Sequence, residues 1–293
     1  MLNPPFGRVL TAMVTPFHDD GSVNLDEARR LAAYLVDEQR NDALVINGTT
    51  GESPTTTDEE KFELLKAVVA EVGDRAKVVA GVGTNETAAT IKRSREAADA
   101  GAHGLLVVTP YYSKPPQDAV AEHFTIVADS TDLPVMLYDI PGRTGIPIDP
   151  RTLVEVASHE RIVAVKDAKG ALASSAEVMA ETDLAYYAGD DAMTLPLLSV
   201  GGVGVVGTST HFTGARTKLM IDAFLAGDLD GALQEYRRLL PVYNGVFATQ
   251  GCMLVKAALG ARGFRPGPLR RPLKAASDGQ RDAFVALLDA AGL

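Results

Sequence analysis

The stretch "RIVAVKDAKG", Arg161 to Gly170, places four apolar residues, Ile162 to Val165, directly before Lys166. The run has no polar alternation. A strand wet on one face alternates, whereas a strand buried on both faces does not. Both faces are covered when helices cross over between parallel strands. The stretch is therefore read as a buried parallel strand that finishes on a lysine. Seven other runs share this character: "VLTAMV" (Val9–Val14), "ALVIN" (Ala43–Asn47), "KVVAGV" (Lys77–Val82), "GLLVV" (Gly104–Val108), "PVMLY" (Pro134–Tyr138), "LAYYA" (Leu184–Ala188) and "VGVVG" (Val203–Gly207).

Between the runs lie segments of helical spacing. "TDEEKFELLKAVVAEVG" opens on a Thr57/Glu60 capping box and ends on Gly73. "NLDEARRLAAYLVDE" repeats the pattern with Asn24 and Glu27. "DPRTLVEVA" offers Asp149 as cap and Pro150 at the first helical position. Eight strand–helix units in about 225 residues imply an α/β fold, the (β/α)8 TIM barrel. A doubly wound sheet is the alternative, but the glycine fingerprint of its first turn is missing. Beyond Ala226 the pattern is all-helical, including a Ser277/Gln280 capping box. We expect a catalytic barrel over residues 1–226 and a small C-terminal helical appendage over 227–293. No catalytic motif stands out in the appendage, which is read as packing or assembly.

The 293 residues are 46% hydrophobic, ample for one large core, and the formal net charge is −10. An acidic chain without a clustered basic stripe excludes nucleic acid and a polybasic membrane anchor. The basic stretch Arg262 to Lys274 is short and interleaved with prolines, so it reads as a loop. The start, "MLNPPFGRVL", lacks the pattern of a signal peptide, and nothing approaches the roughly 18 apolar residues of a membrane span. With a single cysteine, Cys252, no intrachain disulfide forms. A cytoplasmic location is expected. Cys252 itself lies in "CMLVKAALG" and reads as a buried helix residue rather than a nucleophile.

Barrels of this kind carry their sites at the C-terminal ends of the strands. There the sequence places "GTTGES" (Gly48–Ser53), "TPYYSKPP" (Thr109–Pro116), "YDIPGRTG" (Tyr138–Gly145), Lys166 and "GDD" (Gly189–Asp191). Hydroxyls, phenols, one arginine and one lysine share a rim. The five histidines are scattered, so neither a metal nor a cofactor is expected. Asp190 and Asp191 read as a helix cap before a metal site. In "GGVGVVG" (Gly201–Gly207), Gly201, Gly202 and Gly204 precede or open the last strand at the opposite end and read as tight packing, not a phosphate loop.

A lysine in a barrel mouth is partly desolvated, which disfavours the ammonium and lowers its pKa. The free amine can attack a ketone and form a Schiff base. The other reading is a surface lysine paired with Asp167. Tyr138, 28 residues earlier on the neighbouring strand, can shuttle protons during imine formation. Thr49 and Thr50 add hydroxyls, although "GTTG" alone is also an ordinary turn. Arg143 can hold a carboxylate through two parallel hydrogen bonds, or simply form a loop salt bridge.

Together "GTTGES", "TPYYSKPP", "YDIPGRTG" and "VAVKDA", in this order and spacing, resemble the dihydrodipicolinate synthase family, of actinobacterial type, within the class I pyruvate aldolase superfamily. The resemblance runs from "TAMVTPF" to "GPLRRPL". It implies condensation of pyruvate with L-aspartate 4-semialdehyde in lysine and diaminopimelate synthesis. It implies that Lys166 forms the imine and that Tyr138, Thr49 and Tyr112 relay protons, Tyr112 reaching across a dimer interface. It further implies that Thr50 holds the pyruvate carboxylate, Arg143 receives the second substrate's carboxylate, and Gly189 and the Val206 backbone line the pocket. A homotetramer follows from the same resemblance. One departure concerns inhibition by lysine. Ser53, Asn85 and Tyr111 match the family's lysine site, but its histidine positions read Asp58 and Lys61 and its glutamate position reads Ala89. Weak or absent feedback is expected. The rivals are an N-acetylneuraminate lyase or keto-sugar-acid aldolase or dehydratase, a silent keto-acid-binding barrel, and a metal-dependent aldolase.

Overall fold

The computed structural model describes residues 4–293. Eight parallel strands close into a barrel in strict chain order: β1 (Val9–Ala12), β2 (Ala43–Ile46), β3 (Lys77–Gly81), β4 (Gly104–Val108), β5 (Val135–Asp139), β6 (Ile162–Asp167), β7 (Ala185–Ala188) and β8 (Gly204–Gly207). β1 pairs with β8 through Leu10 and Val206, which shuts the ring. Helices return between the strands: α1 (Leu25–Asp37), α2 (Asp58–Val72), α3 (Thr87–Asp99), α4 (Gln117–Asp129), α5 (Pro141–Thr144), α6 (Pro150–Val156), α7 (Leu172–Glu181), α8 (Thr194–Ser199) and α9 (Thr210–Leu225). Three more follow, α10 (Leu229–Gly245), α11 (Gly251–Ala261) and α12 (Asp278–Ala290). The TIM barrel expected from the eight apolar runs is the fold.

Each run became a strand, with ends trimmed for local reasons. β1 stops at Ala12 because the Val14 N–H turns to His211 Nε2, 3.2 Å away, instead of a neighbouring strand. Asn47 drops out of β2 because its backbone is left-handed, φ 63°, a conformation asparagine tolerates better than most residues. β6 gains Asp167, registered between Asp139 and Ala188. The Thr57/Glu60 and Ser277/Gln280 capping boxes both form. The Asn24 box forms by half. Asn24 accepts from the Glu27 N–H at 3.0 Å, but the Glu27 carboxylate accepts from the Arg265 N–H at 2.7 Å instead of returning to Asn24. Asp149 occupies the cap position without a side-chain cap bond, while its N–H donates to Gln117 Oε1 at 2.9 Å.

Side chains alternate across each strand. One set packs outward against the helices, as with Leu44, Val78, Leu137 and Val165. The other fills the barrel, as with Leu10, Val45, Val79, Met136 and Tyr187. Phe6 and Tyr187 plug the N-terminal end, where the Tyr187 hydroxyl donates to the Gly7 carbonyl at 2.9 Å. A Cβ on Gly204 would meet the Arg8 carbonyl oxygen at 2.0 Å, so the glycine there serves close packing, away from the site. The C-terminal helices share the outer core: Val242, Val246, Cys252, Leu254 and Phe284 belong to the same apolar cluster as the barrel's outward residues. No helix among the described residues is long and apolar enough to cross a membrane.

Candidate active site

Strand alternation turns Tyr138 on β5 and Lys166 on β6 inward, close to the C-terminal mouth. Tyr138 and Lys166 are register partners on β5 and β6. A cavity of about 240 Å³ opens above them. Thr49, Thr50, Tyr138, Arg143, Lys166 and Gly189 all line it. The structure thus brings together six of the eight residues singled out from the sequence. Gly189 is tight for a reason: a Cβ there would sit 2.9 Å from Ala168 Cβ.

Two residues fall elsewhere. Val206 does not line the cavity. It faces inward, and Thr208, two residues nearer the mouth on the same face, takes the place on the wall. Tyr112 is 89% exposed, with φ 75°, and does not reach this chain's own cavity.

Lys166 is 6% exposed, and Nζ lies 4.2 Å from the centroid of the Tyr138 ring. Asp167 does not pair with it. Alternation turns Asp167 outward, where it accepts from the Lys169 N–H at 2.8 Å and from the Ser175 hydroxyl. Burial is the largest influence on the Lys166 amine and brings its pKa down to about 8. Asp191 opposes the shift and Arg143 adds to it. Burial also pushes the Tyr138 phenol up to about 12, so it stays protonated at neutral pH. An amine that is neutral about a tenth of the time at pH 7, beside a protonated phenol in a half-dry pocket, is suited to capturing a carbonyl.

Further residues shape the mouth. Thr208 Oγ1 lies 3.5 Å from Thr50 Oγ1, joining the ends of β8 and β2. Asp190 caps the turn after β7 by accepting from the Ala192 N–H at 3.0 Å, as expected, and lines the cavity. Asp191 is not a cap. It is buried and accepts from the Thr208 and Ser209 N–H groups, both at 3.0 Å, which fixes the wall between β7 and β8. Phe247, Gln250, Gly251 and Cys252 close one side. The C-terminal region therefore supplies part of the site wall, which corrects the reading of it as packing or assembly alone. Cys252 is buried, and desolvation pushes its thiol up to about 11, so it is no nucleophile. Its apolar surroundings left no sequence signal. Thr208 did have one, since it follows β8 at the C-terminal end, where such residues gather.

The likeness to known proteins is close. The sequence model of the "Dihydrodipicolinate synthetase family" matches residues 5–291. A 4-hydroxy-tetrahydrodipicolinate synthase from Cutibacterium acnes is 62% identical over 289 residues, covering 99% of either chain. One from Acidothermus cellulolyticus is 65% identical over 269 residues, 92% of this chain and 87% of that relative. Among solved structures, a dihydrodipicolinate synthase from Cyanidioschyzon merolae with lysine bound has 41% identity and a TM-score of 0.97, covering 99% of this chain and 100% of that one. With a family match along nearly its full length and relatives this similar, the chain belongs to the dihydrodipicolinate synthetase family.

Proposed function

We propose that this chain is a 4-hydroxy-tetrahydrodipicolinate synthase, condensing pyruvate with L-aspartate 4-semialdehyde through a Schiff base on Lys166. The observation that carries the reading is the buried amine of Lys166, with its pKa near 8, beside Tyr138 at the cavity floor. At pH 7 such an amine is neutral about 300 times more often than an unperturbed lysine. The names of the relatives at 62% and 65% identity support the synthase over other pyruvate lyases.

In this scheme Lys166 Nζ attacks the pyruvate ketone carbon. Water leaves as protons pass through Tyr138 and Thr49, with Tyr112 contributed by a second copy of the chain. The protonated imine draws electrons from the adjacent methyl group, which loses a proton and becomes an enamine carbon. That carbon bonds to the aldehyde carbon of the semialdehyde, whose oxygen takes up a proton. The semialdehyde's own amine then attacks the imine carbon, closes the ring and expels Lys166 as the free amine. Thr50 holds the pyruvate carboxylate, Arg143 that of the semialdehyde, and Gly189 gives close backbone approach. No cofactor is required. A homotetramer built from dimers that exchange Tyr112, working in the cytoplasm, completes the proposal.

The test is reductive trapping. Borohydride with pyruvate should leave a 1-carboxyethyl group on Lys166, the reduced imine, seen by mass spectrometry of the peptide, and the protein should consume aspartate semialdehyde in the presence of pyruvate. An unmodified Lys166 would refute the reading.

A further inference from the structure

Glu52 follows Gly51 in the loop that carries Thr49 and Thr50 to the cavity, yet its side chain is not on the cavity wall. The side chain is 1% exposed. Its Oε1 lies 2.6 Å from Lys256 Nζ, and its Oε2 accepts from the Arg270 N–H at 2.8 Å. Lys256 is 3% exposed and stands one helical turn beyond Cys252 on α11. Its ammonium also donates to the Pro268 carbonyl at 2.9 Å and sits 4.2 Å from the Phe17 ring centroid. The Arg270 guanidinium holds the carbonyls of Gly21 and Thr55, both at 2.7 Å. On the barrel side, the Thr15 hydroxyl donates to the Gly51 carbonyl at 2.6 Å.

Two physical points make this arrangement more than packing. A charged pair withdrawn from water is expensive, and apolar residues of similar volume would usually serve stability as well or better. What the pair adds is direction: one fixed distance between one carboxylate and one ammonium. In addition, Glu52 is left-handed, φ 58° and ψ 34°. A residue with a side chain persists there only when its surroundings hold it. That conformation reverses the chain just after Thr49–Gly51 and returns it at Ser53, so that Thr49, Thr50 and Ser53 all reach the cavity.

We infer that the buried Glu52–Lys256 pair positions the Thr49–Thr50 loop, so that α11 sets the pyruvate-binding end of the site from outside the cavity. Neither residue touches the substrate; both are positioning residues. The inference rests on the proposed role of Thr50 toward the pyruvate carboxylate.

The experiment compares the unsubstituted protein with Lys256→Met and with the double variant Glu52→Gln/Lys256→Met. It reads thermal stability, the pyruvate concentration giving half-maximal trapping on Lys166, and the KM for aspartate semialdehyde. Absence of trapping in the unsubstituted protein would refute the synthase reading itself. If trapping occurs there, the single variant should lose stability, because it leaves a buried unpaired carboxylate. The double variant should recover stability, yet need at least about tenfold more pyruvate, the scale expected of a displaced binding group, with its semialdehyde KM unchanged. Recovery of stability and pyruvate response together would overturn the inference. Should neither variant fold, hydrogen exchange on the unsubstituted protein decides. Amides of residues 48–55 that open together with those of α11 support it, and a loop that opens separately and faster overturns it.

Discussion

Arg143 Nη2 donates to Gln250 Oε1 at 2.9 Å, joining the short helix after β5 to the cap of α11. The bond holds the guanidinium on the cavity wall. It explains how an exposed arginine is kept in place before any anion arrives. Arg143→Ala should therefore leave pyruvate trapping on Lys166 intact. The KM for aspartate semialdehyde should rise about 10- to 100-fold, the worth of a lost charge-assisted hydrogen bond. Steady-state kinetics beside the trapping assay check both halves, and a collapse of pyruvate binding would show that the two carboxylates are assigned wrongly.

The rate should follow the protonation of one amine. With the Lys166 pKa at about 8, the reactive fraction grows about tenfold per pH unit below that value and levels off above it. Tyr138, pushed up to about 12, remains a phenol throughout this range. The expected profile of kcat/KM for pyruvate climbs from pH 6 to about pH 8 and then flattens. A profile flat from pH 6, or climbing toward pH 10, would contradict the depressed amine.

The same burial carries a stability penalty. In the folded protein Lys166 loses its proton near pH 8, but in the unfolded chain it keeps it to 10.5. Below pH 8 both states are protonated and the folded state bears the cost of a desolvated ammonium, about 3 kcal/mol. Between pH 8 and 10.5 the unfolded state binds more protons, so stability rises with pH, and above that range the penalty is gone. Lys166→Met should thus stabilise the inactive protein at pH 7 by up to about 3 kcal/mol, with the gain fading by pH 10.5. Denaturant melts at the two pH values measure this directly.

The barrel was legible because burial on both faces leaves strands without alternation, as in Ile162–Val165, and because Thr57/Glu60 and Ser277/Gln280 announce their helices. The site's floor was legible for the same reason: a lysine closing a buried run is a local contradiction visible in one dimension. What stayed hidden depends on contacts between distant segments. Nothing near Gln250 or Phe247 reports that the chain there has returned to the mouth, and nothing near Lys256, set in an apolar helix, reports Glu52 some two hundred positions earlier. The end of β8 likewise depends on register: Thr208, two residues beyond Val206, lines the cavity.

Feedback by lysine should be weak. A lysine effector brings an ammonium that needs a free carboxylate. In the region where the family's lysine site falls, Asp58 is already held by Lys92 Nζ and Arg93 Nε, each at 2.9 Å. Lys61 is buried, its amine donates to the Thr56 carbonyl, and desolvation brings its pKa down to about 8, leaving it mostly cationic at pH 7. Ala89, on the first turn of α3, offers no charge. Initial rates titrated with lysine should show no half-inhibition below roughly 1 mM. Sub-millimolar inhibition would require a carboxylate other than these.

Tyr112 supplies the last test, because its backbone is left-handed while its ring is exposed. A non-glycine residue at φ 75° carries strain on the order of 1–3 kcal/mol, and such strain persists where neighbours fix it. Yet the ring is 89% exposed. A second copy of the chain, packed over the β4–α4 loop, would both cover the phenol and hold its backbone, and the phenol would then reach a mouth other than its own. Turnover per chain should fall as the protein is diluted through its dissociation range, in step with the loss of dimer seen by sedimentation. Tyr112→Phe should keep the dimer but slow turnover by about 10²-fold or more, the usual contribution of a proton-transfer group. Pyruvate trapping should slow in proportion. Full turnover from a chain shown by sedimentation to be monomeric would remove Tyr112 from the relay and leave Tyr138 and Thr49 to carry the protons alone.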